Sequence, residues 1–183
     1  DSSLTVFGKY GEFRSKTEAT FVTDSAFAVQ RLDNDTLFLF ADTLSTFKDT
    51  LEDKRYFMAS RNAFFLTKDM QGVCDSLAYW YDDSLMFFYQ SPALWSEKSQ
   101  ITGDTIMLQM RGGTIDSMSI PSSPFIITQE DTVGYDQIKG KQMFAKFVDK
   151  NLHTMWIYGN SESIYFTKDE KENYMGMNKA HVV

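Results

Sequence analysis

Short apolar stretches run the length of the chain, broken at roughly 8–12-residue intervals by polar punctuation, and that rhythm predicts strands and hairpins. Residues 36–41 form one strand, entered from the turn Asp33-Asn34-Asp35. Residues 77–81 and 85–89 flank Asp82-Asp83-Ser84, a hairpin loop. Residues 106–110 and 115–120 flank Arg111-Gly112-Gly113-Thr114, where the glycine pair supplies the positive φ of a tight turn. Residues 143–148 and 152–158 flank Asp149-Lys150-Asn151 in the same way, and 164–167 is a further strand closed by the charged run 168–173. The best helical fit is 49–66, through Leu51, Phe57 and Phe64, but its second half, from 56 to 67, alternates and is read as strand.

Within the strands one face is apolar and the other mixed. Ile106, Leu108 and Met110 share a face opposite Met107, Gln109 and Arg111; Met143, Ala145 and Phe147 oppose Phe144 and Lys146. That alternation suits sheets packed on one side. Residues 77–81 and 85–89 are apolar on both faces, which places them mid-sheet or under a partner.

A signature recurs at the head of several strands: a small residue, a polar one, Ser, Thr or Gln, then an apolar one. It stands as Ala41-Asp42-Thr43-Leu44, Cys74-Asp75-Ser76-Leu77 and Gly103-Asp104-Thr105-Ile106, and more weakly as Gly140-Lys141-Gln142-Met143. Thr23-Asp24-Ser25-Ala26 reads as a degenerate copy. The polar positions 42, 75, 104 and 141 lie 33, 29 and 37 residues apart. A period of that order means stacked units, each leaning its apolar face on its neighbours. The Asp residues are read as turn-fixing groups that hydrogen-bond nearby backbone, in preference to a carboxylate cluster.

Composition agrees with a folded, strand-rich chain: 183 residues, 43% hydrophobic, with 16 Phe and 9 Tyr, residues that fit a pleated, half-buried surface. The net charge of −7, with no basic cluster beyond Lys139, Lys141 and Lys146, argues against nucleic acid. The single cysteine, Cys74, excludes an intrachain disulfide and a thiolate metal cluster. The longest apolar runs are far short of the about 20 residues of a membrane helix. The start at Asp1-Ser2-Ser3 reads as a processed or truncated piece without its leader.

Chemistry is sparse. Cys74 and His153 are the only nucleophile and base for a cysteine enzyme, and no local signature surrounds either. His153 and His181 lack metal-ligand spacing. Asp33, Asn34 and Asp35 resemble the start of a calcium loop, without the glycine and glutamate it needs. Asn34-Asp35-Thr36 fits the glycosylation pattern, which matters only in a secreted eukaryotic protein. Gly8 to Gly11 lacks the strand–turn–helix of a phosphate cradle. The expectation is a non-enzymatic domain with no metal and no cofactor.

Several phrases carry a family resemblance. Gln100-Ile101-Thr102-Gly103-Asp104-Thr105-Ile106, with Pro92-Ala93-Leu94-Trp95 before it, resembles a phrase of OstA-like proteins. Gln137-Ile138-Lys139-Gly140-Lys141, Gly159-Asn160-Ser161-Glu162-Ser163-Ile164-Tyr165 and Gly176-Met177-Asn178 resemble later phrases of the same family. Their order runs from about Tyr10 to Asn178 and is similar to the Bacteroidetes-type OstA-like proteins, relatives of the LptA periplasmic bridge. The resemblance implies an all-β fold: an elongated antiparallel β-jellyroll (a β-taco) of repeated hairpins, with two facing sheets and an apolar groove between them. It implies one such domain over 1–183, a portion of a longer protein, located in the periplasm. It implies that the domain shields the acyl chains of lipopolysaccharide or another acylated lipid between inner and outer membrane. Other Lpt-type β-jellyroll proteins, or copies of itself, would be partners by edge-strand stacking.

Groove-facing candidates follow from the alternation: Leu77, Tyr79, Ile106, Leu108, Met110, Met118, Ile120, Met143, Phe147, Met155 and Ile157. Alternation identifies an inside face without saying whether the space beside it is open. Two other functions compete. One is a β-scaffold that binds protein partners by edge-strand addition without lipid cargo. The other is a carbohydrate-binding or hydrolytic β-domain using Trp80, Trp95 and Trp156 as a platform and Asp82 and Asp83 as acid and base; adjacent residues at a strand end point apart, which counts against the pair.

Overall fold

The computed structural model describes residues 4–32, 35–49, 51, 53–129, 134–169 and 174–182. Among them the chain forms antiparallel strands joined by turns. In order these are β1 (Leu4–Phe7), β2 (Tyr10–Arg14), β3 (Ala19–Leu32), β4 (Asp35–Asp49), β5 (Lys54–Leu66), β6 (Met70–Trp80), β7 (Leu85–Tyr89), β8 (Ala93–Ser96) and β9 (Ser99–Thr102). They continue as β10 (Thr105–Arg111), β11 (Thr114–Ile120), β12 (Phe125–Gln129), β13 (Tyr135–Lys139), β14 (Gln142–Val148), β15 (Asn151–Tyr158), β16 (Ser161–Lys168) and β17 (Tyr174–Val182). The segment with a helical fit is β5, a strand, as its alternating second half requires.

The pairings resolve these strands into two walls. Wall I runs β2, residues 19–23 of β3, 43–49 of β4, 54–60 of β5, 76–80 of β6, then β7, β10, β11, β14 and β15. Wall II runs β1, residues 26–32 of β3, 35–41 of β4, 63–66 of β5, 70–74 of β6, then β8, β9, β12, β13, β16 and β17. The chain passes from one wall to the other along a single line, the spine, and its hairpin turns lie at the two far rims. This is an elongated antiparallel β-jellyroll.

The recurring sequence signature is the spine crossing. Positions 42, 75, 104 and 141 each carry the chain from wall II to wall I, so its period is one hairpin in each wall. The small residue ahead of it faces the inside of the fold, where there is no room. A Cβ on Gly103 would collide with Ile120 Cγ2, and one on Gly140 with Ile157 Cγ2. Ala41 and Cys74 hold the same position and are buried.

Thr23-Asp24-Ser25-Ala26 is not a copy of this signature, because it crosses in the opposite sense, from wall I to wall II. The return crossings use left-handed backbone instead: Asp24-Ser25, Arg61-Asn62, Gln90-Ser91, Ser123 and Gly159-Asn160 all have positive φ. The outward crossings at 42, 75, 104 and 141 have none. The two directions thus need different residues, since left-handed φ favours Gly and Asn.

The spine carboxylates bond side chains more than backbone. Asp42 accepts from Asn62 Nδ2 at 3.1 Å, Asp75 from Ser76 Oγ at 2.7 Å, and Asp104 from Ser122 Oγ at 2.6 Å. Backbone bonds tie successive crossings together: Asp104 N donates to Ser122 O at 3.1 Å and Lys141 N to Tyr158 O at 2.9 Å.

The core lies between the walls beside the spine. Leu44, Leu77, Phe88, Ile106, Ile120 and Met143 of wall I and Leu39, Phe65, Leu94 and Ile126 of wall II join one buried cluster. Phe65 and Phe88 meet across it, ring centroids 5.4 Å apart. The strands that read as apolar on both faces, β6 and β7, sit mid-wall. The outer side of wall I carries an aromatic ladder from β4 to β7, Phe47, Tyr56, Trp80 and Phe87, with successive centroids 5.2, 5.6 and 4.7 Å apart. Wall II has its own outer ladder, Phe7, Phe27, Phe40 and Phe64.

Candidate functional site

All eleven sequence-selected residues fall on the inner face of wall I, in three rows between spine and rim. Beside the spine, Leu77 is joined in register through Phe88 to Ile106, and Ile120 through Met143 to Ile157. The middle row is unbroken across eight strands: Thr46, Phe57, Tyr79, Met86, Leu108, Met118, Ala145 and Met155. Met110 and Phe147 lie in the rim row.

Burial divides them. Leu77, Ile106, Leu108, Met118, Ile120 and Met143 are buried, with Ile106 and Ile120 at 0% exposure, so the spine half of the interior is packed shut. Tyr79, Met110, Phe147, Met155 and Ile157 are half-buried and lean on that core. Of these, Met110 and Phe147 line the mouth.

Two β-bulges shape the rim row. In β11 the partner of Gln109 is Ser117, but the partner of Met110 is Ile115, which leaves Asp116 as the extra residue. In β15 Lys146 faces Thr154 and Phe147 faces Leu152, which leaves His153 over. An unbroken period of two would put Asp116 in line with Met118 and Ile120, and His153 in line with Met155 and Ile157, all inside. The bulges re-aim the strand. Asp116 lies instead on the outer side with Lys146 Nζ at 2.6 Å and Arg111 Nε at 3.1 Å. The Lys146 hydrogen bond, more than the Arg111 charge, holds its carboxyl below the usual range. Exposed His153 bonds Thr154 Oγ1 at 2.8 Å. Ile115 and Leu152 take the inner places.

Wall II supplies the other lining, which the alternation left unidentified. Its inner row is Ala28, Leu39, Phe65, Gly72, Leu94, Ile101, Ile126 and Ile138. Four-residue strands such as β8 and β9 are too short to display a period. Towards the rim this wall turns polar: Met70 is followed by Ser96, Ser99, Thr128 and Asp136. Ser99 and Thr128 bond each other at 2.9 Å, and Asp136 accepts from Phe166 N at 2.9 Å.

The residues weighed for catalysis are occupied structurally. Cys74 is buried next to Ala63, and burial pushes its thiol up to about 11. His153 stands at the rim turn of the outermost wall I strand. Asp82 accepts from Arg55 N at 2.9 Å, and Asp83 pairs with Lys54 at 3.1 Å. Trp80 and Trp156 sit on wall I and Trp95 on wall II, where Trp95 Nε1 donates to Gln100 Oε1, so they form no common platform. Asp33 and Asn34, of the calcium-like and glycosylation phrases, lie outside the described residues, and the charged run is described only to Asp169. Among the described residues no three His, Cys, Asp or Glu side chains converge on a metal position.

Two facing antiparallel sheets with a packed spine and an apolar, half-buried rim row define a β-jellyroll of LptA-like fold. Among solved structures the chain is similar to LptH of Pseudomonas aeruginosa, the LptA homologous periplasmic component of that organism's conserved lipopolysaccharide transport device. The match has a TM-score of 0.53 at 11% identity and covers 63% of this chain and 81% of that one, a likeness of fold. No family model and no curated protein matches the chain by sequence.

Proposed function

We propose that this chain is a non-enzymatic lipid-binding domain of the cell envelope. It shields the acyl chains of lipopolysaccharide, or of another acylated lipid, while they cross the periplasm between inner and outer membrane. The observation that carries the reading is the unbroken inner row from Phe57 to Met155, with Phe57, Leu108, Met118 and Ala145 buried and Tyr79, Met86 and Met155 half-buried against them. With strands about 4.8 Å apart, a row of seven strands runs on the order of 29 Å, long enough for an extended acyl chain. Burying about a dozen methylenes at ~0.8 kcal/mol each sets an upper bound near 10 kcal/mol. Lost freedom on binding offsets much of it, which leaves the cargo releasable. Tyr79, Met110, Phe147, Met155 and Ile157 contact the cargo, and the six buried candidates form the floor beneath it.

The test is photo-crosslinking. The purified chain is incubated with a photoreactive lipid A analogue, and labelled peptides are mapped. Labelling on the inner rows of β7, β11 and β15 is the expected result. An unlabelled groove, with concentration-dependent oligomers still forming, overturns the cargo and favours the β-scaffold. That second reading has its own observation: among the described residues β1 and β2 at one end and β15 and β17 at the other are paired on one side only, and such edges pair with further strands.

A further inference from the structure

The outer side of wall I carries an exposed aromatic face on its last two strands. Gln142, Phe144 and Lys146 of β14 alternate outwards, opposite the buried Met143 and Ala145. Their partners on β15 are Tyr158, Trp156 and Thr154. Phe144, Trp156 and Tyr158 are 37%, 43% and 54% exposed, and the Phe144 and Trp156 rings lie side by side with centroids 5.7 Å apart. Side chains that can hydrogen-bond border the rings: Gln142 beside Tyr158, Ser119 beside Phe144, and Ser117 and Thr154 on either side of Lys146. The charge here runs against that of the chain. Lys141 stands at the spine end of the face and Arg111, Lys146 and Lys150 at the rim end, against Asp116 and Asp149, in a chain of net charge −7. Asp116 is held by Lys146 and Arg111. Lys141 is exposed and makes no ion pair among the described residues.

We propose that Phe144, Trp156 and Tyr158 form a stacking platform for an acidic polysaccharide, with Lys141 at one end and Lys146 at the other placed to meet its anionic groups. A sugar ring is apolar on its C–H face and carries hydroxyls around its edge. The aromatic rings match the first, and the serine, threonine and amide side chains beside them match the second. The local excess of cations selects a chain bearing carboxylate, phosphate or sulfate over a neutral one. Size favours a saccharide over a protein. The three side chains expose on the order of 300 Å² of aromatic surface, against about 800 Å² a side in a standard protein interface. A strand from a partner would add at the edge of β15 and leave this face untouched. At about 3.4 Å per residue, Gln142 to Lys146 span roughly 14 Å, room for a short run of sugar rings. The platform points away from the inner rows, with the backbone of wall I between them, so the inference stands apart from the lipid-binding reading.

The experiment probes an array of lipid-free oligosaccharides, bearing uronate, phosphate or sulfate groups and each printed beside its neutral parent, with the full chain. Acidic members are held in preference to their parents, and retention falls as salt is raised. The acidic member held best is then titrated into isotope-labelled chain. The indole N–H signal of Trp156 moves, and those of Trp80 and Trp95 stay in place. Trp156→Ala weakens binding about tenfold, near the upper end of what one aromatic contact contributes. Lys141→Ala weakens it too and flattens its dependence on salt. An array that holds no acidic member, or holds the neutral parents equally, overturns the inference. So does binding that leaves the Trp156 signal in place and survives Trp156→Ala. Thermal unfolding separates lost binding from a damaged fold, and the Trp156 signal of the unmodified chain decides where a variant unfolds.

Discussion

At the scale of single residues, the spine is where identity is least negotiable. Gly103 and Gly140 have ordinary backbone angles, so the constraint on them is space: an added Cβ meets Ile120 or Ile157 inside the closed corner. Gly103→Val and Gly140→Val are each expected to lose about 1–3 kcal/mol in urea unfolding, the usual cost of overfilling a packed site. Gly176→Val, where nothing lies within contact distance, should stay within about 0.5 kcal/mol. Cys74 gives a second prediction. Burial is the main cause of its raised thiol value, about 11 against an unfolded value near 8.5. A group whose folded value is raised contributes its stabilisation below the unfolded value and loses it as pH climbs towards the folded one. Stability should therefore decline between about pH 8.5 and 11 in the wild type, and less so in Cys74→Ala after correction for the cavity. At pH 8 iodoacetamide should modify the thiol only as fast as the fold opens, measured by intact mass against denaturant.

At the scale of elements, the hairpins were legible and the departures from regular strand were not. The Gly112-Gly113 and Asp149-Lys150 turns declare themselves by composition, and both pairs have positive φ. The Lys150 turn is the strained version of the Gly113 turn, because a lysine bears a Cβ in the left-handed region. Lys150→Gly should raise the unfolding free energy by about 1 kcal/mol, and Gly113→Ala should lower it by a similar amount. The bulges at Asp116 and His153 escaped the alternation for a physical reason. A period-two reading assumes that every residue pairs, whereas a bulge adds one that does not. Likeness of residues alone made Thr23-Asp24-Ser25-Ala26 look like a degenerate copy of the Asp42 signature. Only the sense of crossing, a property of the paired walls, tells the two corners apart. Wall I was readable because β10, β11, β14 and β15 run seven or eight residues and their inner side is apolar. Wall II was not, because β8 and β9 have four residues each and its rim positions are Ser and Thr.

At the scale of the whole molecule, the ladder of strands does not close on itself among the described residues. Among the described residues each end presents strands of both walls paired on one side only, and β17, exposed at every position, extends wall II one strand past β15. An edge of that kind either recruits another strand or is defended by charge, proline or twist. β17 contains no proline, and its only strongly charged side chain is Lys179, which pairs with Glu162 at 3.5 Å, so the free side of the strand is undefended. The expected consequence is end-to-end stacking, the β15 and β17 end of one molecule on the β1 and β2 end of the next. Stacking in that sense would keep both apolar inner rows continuous across the junction. Asn178→Pro tests this in the middle of the exposed strand, since proline removes a ladder donor and is tolerated only where no further strand must pair. Sedimentation velocity across a concentration series should show wild-type oligomers growing with concentration and the proline variant remaining a monomer. Its melting temperature should fall by no more than a few degrees, because β17 contributes nothing to the buried cluster. Oligomers that persist in Asn178→Pro would place the contact elsewhere, and the outer Phe7–Phe64 ladder would then be the surface to block.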